Sequence, residues 1–130
     1  MMRLLCKSKI HRARISKCDI HYKGSIGIDK ALLDAGDIYT HEIVQVVNVS
    51  TGARFETYVI EEKEGTGAIA LYGGAARLGK PGEVIIVMSY AFLTGAEART
   101  FVPRIIIVND QNKIVTRSDS GSTRNKKISK

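Results

Sequence analysis

A glycine joined to a serine, Gly24-Ser25, sits in the run His21-Tyr22-Lys23-Gly24-Ser25-Ile26-Gly27-Ile28-Asp29. This pair can turn a main chain on itself. The serine hydroxyl adds to the preceding carbonyl, and the amide nitrogen leaves, so the peptide bond becomes an ester. Loss of the serine Cα proton and of the Gly24 carboxylate then splits the chain and leaves a dehydroalanine. Water converts that residue to a pyruvoyl group, with the nitrogen released as ammonia. No soluble cofactor is needed. Glycine before the cut keeps the carbonyl open and tolerates strained backbone. The scheme divides the chain into a short piece, 1–24, and a longer one, 25–130.

Short strand candidates must position this pair. Leu4 to Ser8 and Ala13 to Ser16 read as early strands, and Glu42 to Val49 alternates well before the turn Ser50-Thr51-Gly52, which returns the chain through Arg54 to Glu61. Further strands are expected at Ala68 to Tyr72, Glu83 to Tyr90, Arg104 to Val108 and Lys113 to Val115. One short helix is expected over Asp29 to Ala35, capped by Asp29 and ended by Gly36. Many short strands in a small chain indicate a compact barrel or sandwich.

A period of two places Arg54, Glu56, Tyr58 and Ile60 on one strand face, and Phe55, Thr57 and Val59 on the other. An arginine and a tyrosine therefore share a face, which suits anion binding and proton donation and equally suits a surface arginine beside a packed tyrosine. Lys9 and His11 share a face in the same way. Gly73-Gly74-Ala75-Ala76-Arg77 offers backbone N–H groups to an anion, or simply lets two backbones approach. No dinucleotide or P-loop fingerprint accompanies it.

At 130 residues the chain is sized for one domain, and its apolar runs, Val84 to Met88 and Ile105 to Val108, are strand-sized. A cytoplasmic location is expected, with no membrane partner. Cys6 and Cys18 match no zinc or redox spacing, His11, His21 and His41 are scattered, and no metal is expected. The net charge of +7 raises a basic β-barrel that binds nucleic acid as an alternative. Against it, the aromatics are spread singly instead of interleaving with cations on one face. Part of the charge sits in a Ser- and Lys-rich segment, 116–130, expected to be a disordered tail beyond a folded unit of residues 1–115.

Several motifs recur in a fixed order: Lys9-Ile10-His11-Arg12-Ala13, Asp19 to Ser25, Ile28-Asp29, Asn48 to Tyr58, Gly73 to Arg77 and Glu97-Ala98-Arg99-Thr100. From about Met2 to about Val115 the chain resembles the pyruvoyl-dependent aspartate α-decarboxylases. The resemblance implies a mainly β fold, a double-psi β-barrel with short helices, assembled as a homotetramer. It implies decarboxylation of L-aspartate to β-alanine for pantothenate and coenzyme A synthesis. Ser25 would become the pyruvoyl group that forms a Schiff base with substrate, and Tyr58 the proton donor. Thr57 would support the Gly24 carbonyl during cleavage and later line the substrate site. Arg54 would clamp the substrate side-chain carboxylate, with Gly73, Gly74, Ala75 and Lys9 completing the substrate site and Tyr22, His11 and Tyr72 supporting it. Two positions depart from the family pattern. Tyr72-Gly73-Gly74-Ala75 stands where Asn-Gly-Ala-Ala is usual, and some members carry a tryptophan near Val47. A relative that never cleaves, or one acting on another amino acid, is the remaining alternative.

Overall fold

The computed structural model describes residues 1–118 and the backbone of 126–127. Ten strands form the bulk of the described fold: β1 (Met2–Arg14), β2 (Lys17–Asp19), β3 (Ser25–Asp29), β4 (Ile43–Asn48), β5 (Arg54–Glu62), β6 (Ile69–Tyr72), β7 (Val84–Thr94), β8 (Arg104–Val108), β9 (Ile114–Ser118) and β10 (Lys126–Lys127). Two short helices, α1 (Lys30–Gly36) and α2 (Gly95–Thr100), and a 3-10 turn at Gly73–Leu78 complete it. The expected mainly β fold with short helices is what the chain adopts.

The strands are hydrogen-bonded in the order β10-β9-β8-β1-β7-β4-β5-β3-β6-β2. Three of the pairings are parallel: β1 with β8, β3 with β5, and β2 with β6. Strand β3 lies between β5 and β6, so whatever stands at its start is flanked by two other strands. Its register is firmly set. Ile26 and Ile28 are fully buried among Val59, Ile69 and Leu71. A one-residue slip would turn both isoleucines to the opposite face, which is also buried and is shaped around Ser25 and Gly27.

Where β3 ends, Asp29 caps α1 by accepting from Ala31 N at 2.8 Å. The same buried carboxylate accepts from Gly65 N at 3.0 Å and Gly67 N at 2.8 Å, which ties the loop before β6 to the end of β3. This one side chain thus joins α1 and the β5–β6 loop to the end of the cleavage strand.

Several boundaries differ from expectation. The two early strands are one, β1, bent by register shifts after Cys6 and after Ile10, with Arg12 at φ 62. Gly36 lies inside α1, and Asp37 holds the left-handed cap position at φ 54. Strand β3 and helix α2 were not expected. Thr116, Arg117 and Ser118 belong to β9 and pair with Ile107, Ile106 and Ile105, so the folded part runs past residue 115. The hydrogen bonds of the β8 edge outweigh the polar composition of that stretch. The expectation of a disordered tail at 119–125 and 128–130 lies outside the described residues. Among the described residues no helix is long and apolar enough to cross a membrane.

Candidate active site

Ser25 is the first residue of β3 and only 1% exposed, whereas Lys23 and Gly24 just before it are exposed. The Gly24–Ser25 peptide therefore marks the point where the chain passes from surface to interior. The Ser25 hydroxyl donates to the Lys23 carbonyl at 3.0 Å, which folds it back over the preceding residues. Across the antiparallel β3/β6 ladder, its direct partner is Tyr72.

The residue after Tyr72 packs against the chain just before the scissile peptide. Gly73 has φ +63, and a Cβ there would stand 2.6 Å from Gly24 N, 2.7 Å from Gly24 Cα and 2.9 Å from Tyr22 O. Only glycine fits both the conformation and the contact. Gly24 itself shows no such demand: a Cβ on it would meet Gly74 N and Tyr72 O at an ordinary 4.0 Å, and its φ is not in the left-handed range. The strained backbone expected before the cut is thus found in the turn packed against it. Gly74 opens to solvent, and Ala75 is buried at the base of the same turn.

On the other flank, Ile26 pairs with Val59 in the parallel β3/β5 ladder. One residue earlier on each strand stand Ser25 and Tyr58, and two residues earlier Gly24 and Thr57. Thr57 shares its face with buried Val59, while Tyr58, Ser25 and Tyr72 share the opposite face across three adjacent strands. Sequence periodicity separates Thr57 from Tyr58 as the strand itself does. It gave no sign of His41, whose ring lies 6.0 Å from that of Tyr58, held by an unusual φ of 73 and a bond from its N–H to Val59 O at 2.6 Å.

Arg54, exposed at the start of β5, is four residues from Tyr58 on the same face. At ~3.3 Å per residue the two Cα atoms are about 13 Å apart. Lys9 is linked to Glu56 of β5 through Met88 and Gln45, across three strand pairings. No strand pairing joins either cation directly to Ser25. Tyr90 and Gln45 lie on this outer face, joined by a bond from the phenol to Gln45 Oε1 at 2.8 Å. His11 pairs with Ile107, and burial, with Lys9 and Arg12 nearby, pushes its imidazole below the usual 6.5.

Tyr72 is buried, and its hydroxyl donates to Glu62 Oε2 at 2.7 Å. Burial first, and this bond second, push its phenol from 10.0 up to about 12. The ring meets Tyr22 at 4.8 Å between centroids. Glu62 was missed from sequence, although its place two residues beyond Ile60 put it on the Tyr58 face. Cys6 and Cys18 are free, half-buried thiols, both pushed up by burial. Among the described residues no cluster of His, Cys, Asp or Glu could hold a metal ion.

The Aspartate decarboxylase family model matches residues 1–115 of this chain. The chain belongs to the aspartate decarboxylase family. It is accordingly a carboxy-lyase by family. An aspartate 1-decarboxylase of Pelotomaculum thermopropionicum is 50% identical over 115 residues, covering 88% of this chain and 87% of that relative. One of Caldicellulosiruptor bescii is 52% identical over 113 residues, covering 87% and 88%. One of Heliobacterium modesticaldum is 47% identical over 126 residues, covering 95% and 96%. A solved structure, that of the computationally designed msDPBB_sym2 protein, reaches a TM-score of 0.42 at 14% identity over 68% of this chain and 99% of that one, too low to bear on the fold of this family member.

Proposed function

We propose that this chain decarboxylates L-aspartate to β-alanine and carbon dioxide, using a pyruvoyl group that it makes from Ser25 by cutting its own chain after Gly24. One observation carries the reading: the Gly24–Ser25 peptide lies between the Gly73 turn and Thr57-Tyr58, with the serine buried and its hydroxyl folded back on the chain. Oγ attack on the Gly24 carbonyl transfers the acyl group from nitrogen to oxygen. Loss of the Ser25 Cα proton then expels the Gly24 carboxylate, and water replaces the nitrogen, which leaves as ammonia.

The surroundings suit the group that results. Once formed, the pyruvoyl ketone supplies an electron sink for the departing carboxylate's electron pair. Arg54 holds the substrate's side-chain carboxylate by a bidentate fork, while the carboxylate to be lost is left without a cation, since stabilising its charge raises the barrier. Tyr58, on the face of Ser25, delivers a proton from its phenol to the carbon that lost the carboxylate. Gly73, Gly74 and Ala75 offer backbone donors to the substrate, with Lys9 and His11 at the rim.

Copies of the chain assemble as a homotetramer of double-psi β-barrels. Support comes from the parallel pairings β1/β8, β3/β5 and β2/β6, and from large apolar side chains left exposed on the described surface, Leu4 and Ile43 at 58% and Phe92 at 69%. The enzyme acts in the cytoplasm and feeds pantothenate and coenzyme A synthesis. Incubation of processed protein with L-aspartate tests the activity. Stoichiometric β-alanine and carbon dioxide are expected, and L-glutamate should be a poor substrate. Failure to consume aspartate, or equal turnover of glutamate, contradicts the assignment.

A further inference from the structure

Tyr72 stands directly opposite Ser25, and three contacts hold its ring in place. Its hydroxyl donates to Glu62 at 2.7 Å, the Tyr22 ring lies 4.8 Å away, and Lys17 Nζ sits 5.6 Å from the ring centroid. The contact with Glu62 depends on Gly27. A Cβ at residue 27 would come within 2.8 Å of Glu62 Cδ, so the carboxylate can cross β3 to reach Tyr72 only because glycine leaves that surface bare. Glu62 on β5, Gly27 on β3 and Tyr72 on β6 thus form one bridge over the strand that begins with Ser25.

The bridge has consequences on both sides of the scissile peptide. Tyr72 is followed at once by Gly73, the residue wedged against Gly24 N and Cα, so anchoring the tyrosine ring fixes the turn that positions the Gly24 carbonyl. Tyr22, two residues before Gly24, leans on the same ring from the segment upstream of the cut. The upstream segment and the strand opposite Ser25 are therefore held to one rigid group. Attack by a neighbouring hydroxyl is acutely sensitive to such placement, since a displacement of about 1 Å costs ~100-fold in rate.

We propose that Tyr72 and Glu62 are a positioning pair for self-cleavage, with Gly27 as the gap through which they meet. This chain fixes its cleavage turn with a phenol bonded to a carboxylate. The pair does no bond-making itself. The inference rests on the self-cleavage reading given above, and the two can fail separately.

The test follows the conversion of freshly purified full-length chain into two fragments, by denaturing electrophoresis and mass spectrometry. Tyr72→Phe and Glu62→Ala should each slow the conversion roughly tenfold, the loss expected for one hydrogen bond to a charged group. The double variant should be no slower than either single, because both remove the same bond. Glu62→Gln, which keeps an acceptor oxygen, should restore most of the rate, and Glu62→Met, of similar length without one, should stay slow, whereas a merely space-filling role would make Gln and Met alike. Gly27→Ala should reproduce the slow rate without altering either partner, since it pushes aside the flexible end of Glu62. Circular dichroism of each variant confirms folding, and Glu62→Gln and Tyr72→Phe are nearly isosteric. Wild-type rates in Tyr72→Phe and Glu62→Ala overturn the pair, and so do effects that multiply in the double variant. An uncut wild-type chain overturns the self-cleavage reading instead.

Discussion

Gly73 is wedged against Gly24 so closely that a single added carbon would collide with the Gly24 backbone at 2.6 Å. The contact joins the turn after β6 to the bond that this chain is proposed to break. Replacing Gly73 by Ala adds both that collision and a disfavoured positive φ. In a Ser25→Ala background, which keeps one uncut chain, Gly73→Ala should lower stability by at least ~1 kcal/mol in urea unfolding. With Ser25 present, it should suppress cleavage. Gly74→Ala, pointing into open space, should change stability by no more than about 0.5 kcal/mol.

Arg54→Ala should leave fragment formation intact, because Arg54 lies about 13 Å along β5 from Tyr58. It should raise KM for aspartate by roughly tenfold or more, the loss expected when a charge-assisted bidentate contact is removed. Steady-state kinetics on fully processed protein make the measurement, and an unchanged KM places the clamp elsewhere.

Tyr58→Phe should still cut itself and yet lose turnover by about 100-fold or more, the range for removal of a positioned general acid. Its ring keeps the packing against His41, so folding should be unaffected. Normal β-alanine release from this variant removes Tyr58 from the proton-transfer role.

The phenol of Tyr72 carries a pH signature. Its folded value, about 12, lies above the ordinary 10.0, because burial and the bond to Glu62 favour the protonated form. The contribution to stability is therefore complete below pH 10 and is lost as pH rises toward 12. The difference in thermal midpoint between wild type and Tyr72→Phe should be constant from pH 8 to about 9.5 and shrink above it. A difference that stays flat to pH 12 shows that the ring is held without its hydroxyl.

Much of this arrangement is legible in the residues. Alternation along Arg54 to Glu62 separates Thr57 from Tyr58, and Asp29 is readable as a cap because a carboxylate before a helical stretch satisfies free N–H groups. Strand β3 escapes such reading. Its residues Ser25 to Asp29 are buried on both faces, so no polar alternation marks them, and Gly27 weakens the pattern further. Helix α2 did leave a signal in Thr94-Gly95-Ala96-Glu97, a capping box in which Thr94 and Glu97 bond each other's backbone. Glu62 and His41 could not be placed, because each reaches the site through long-range pairing of β5 with β3 or through a left-handed backbone turn. Arg54 and Lys9 present the reverse case: the motifs that carry the family resemblance name them together with Ser25, while no strand pairing joins either to it.

Mass spectrometry of the denatured protein addresses the central claim most directly. Two species are expected, residues 1–24 ending in a free carboxylate and a larger piece beginning at a keto-blocked residue 25, whose masses sum to the intact chain plus one water less one ammonia. Active protein that consists of one uncut chain, or whose larger piece starts with an ordinary serine amine, contradicts the account.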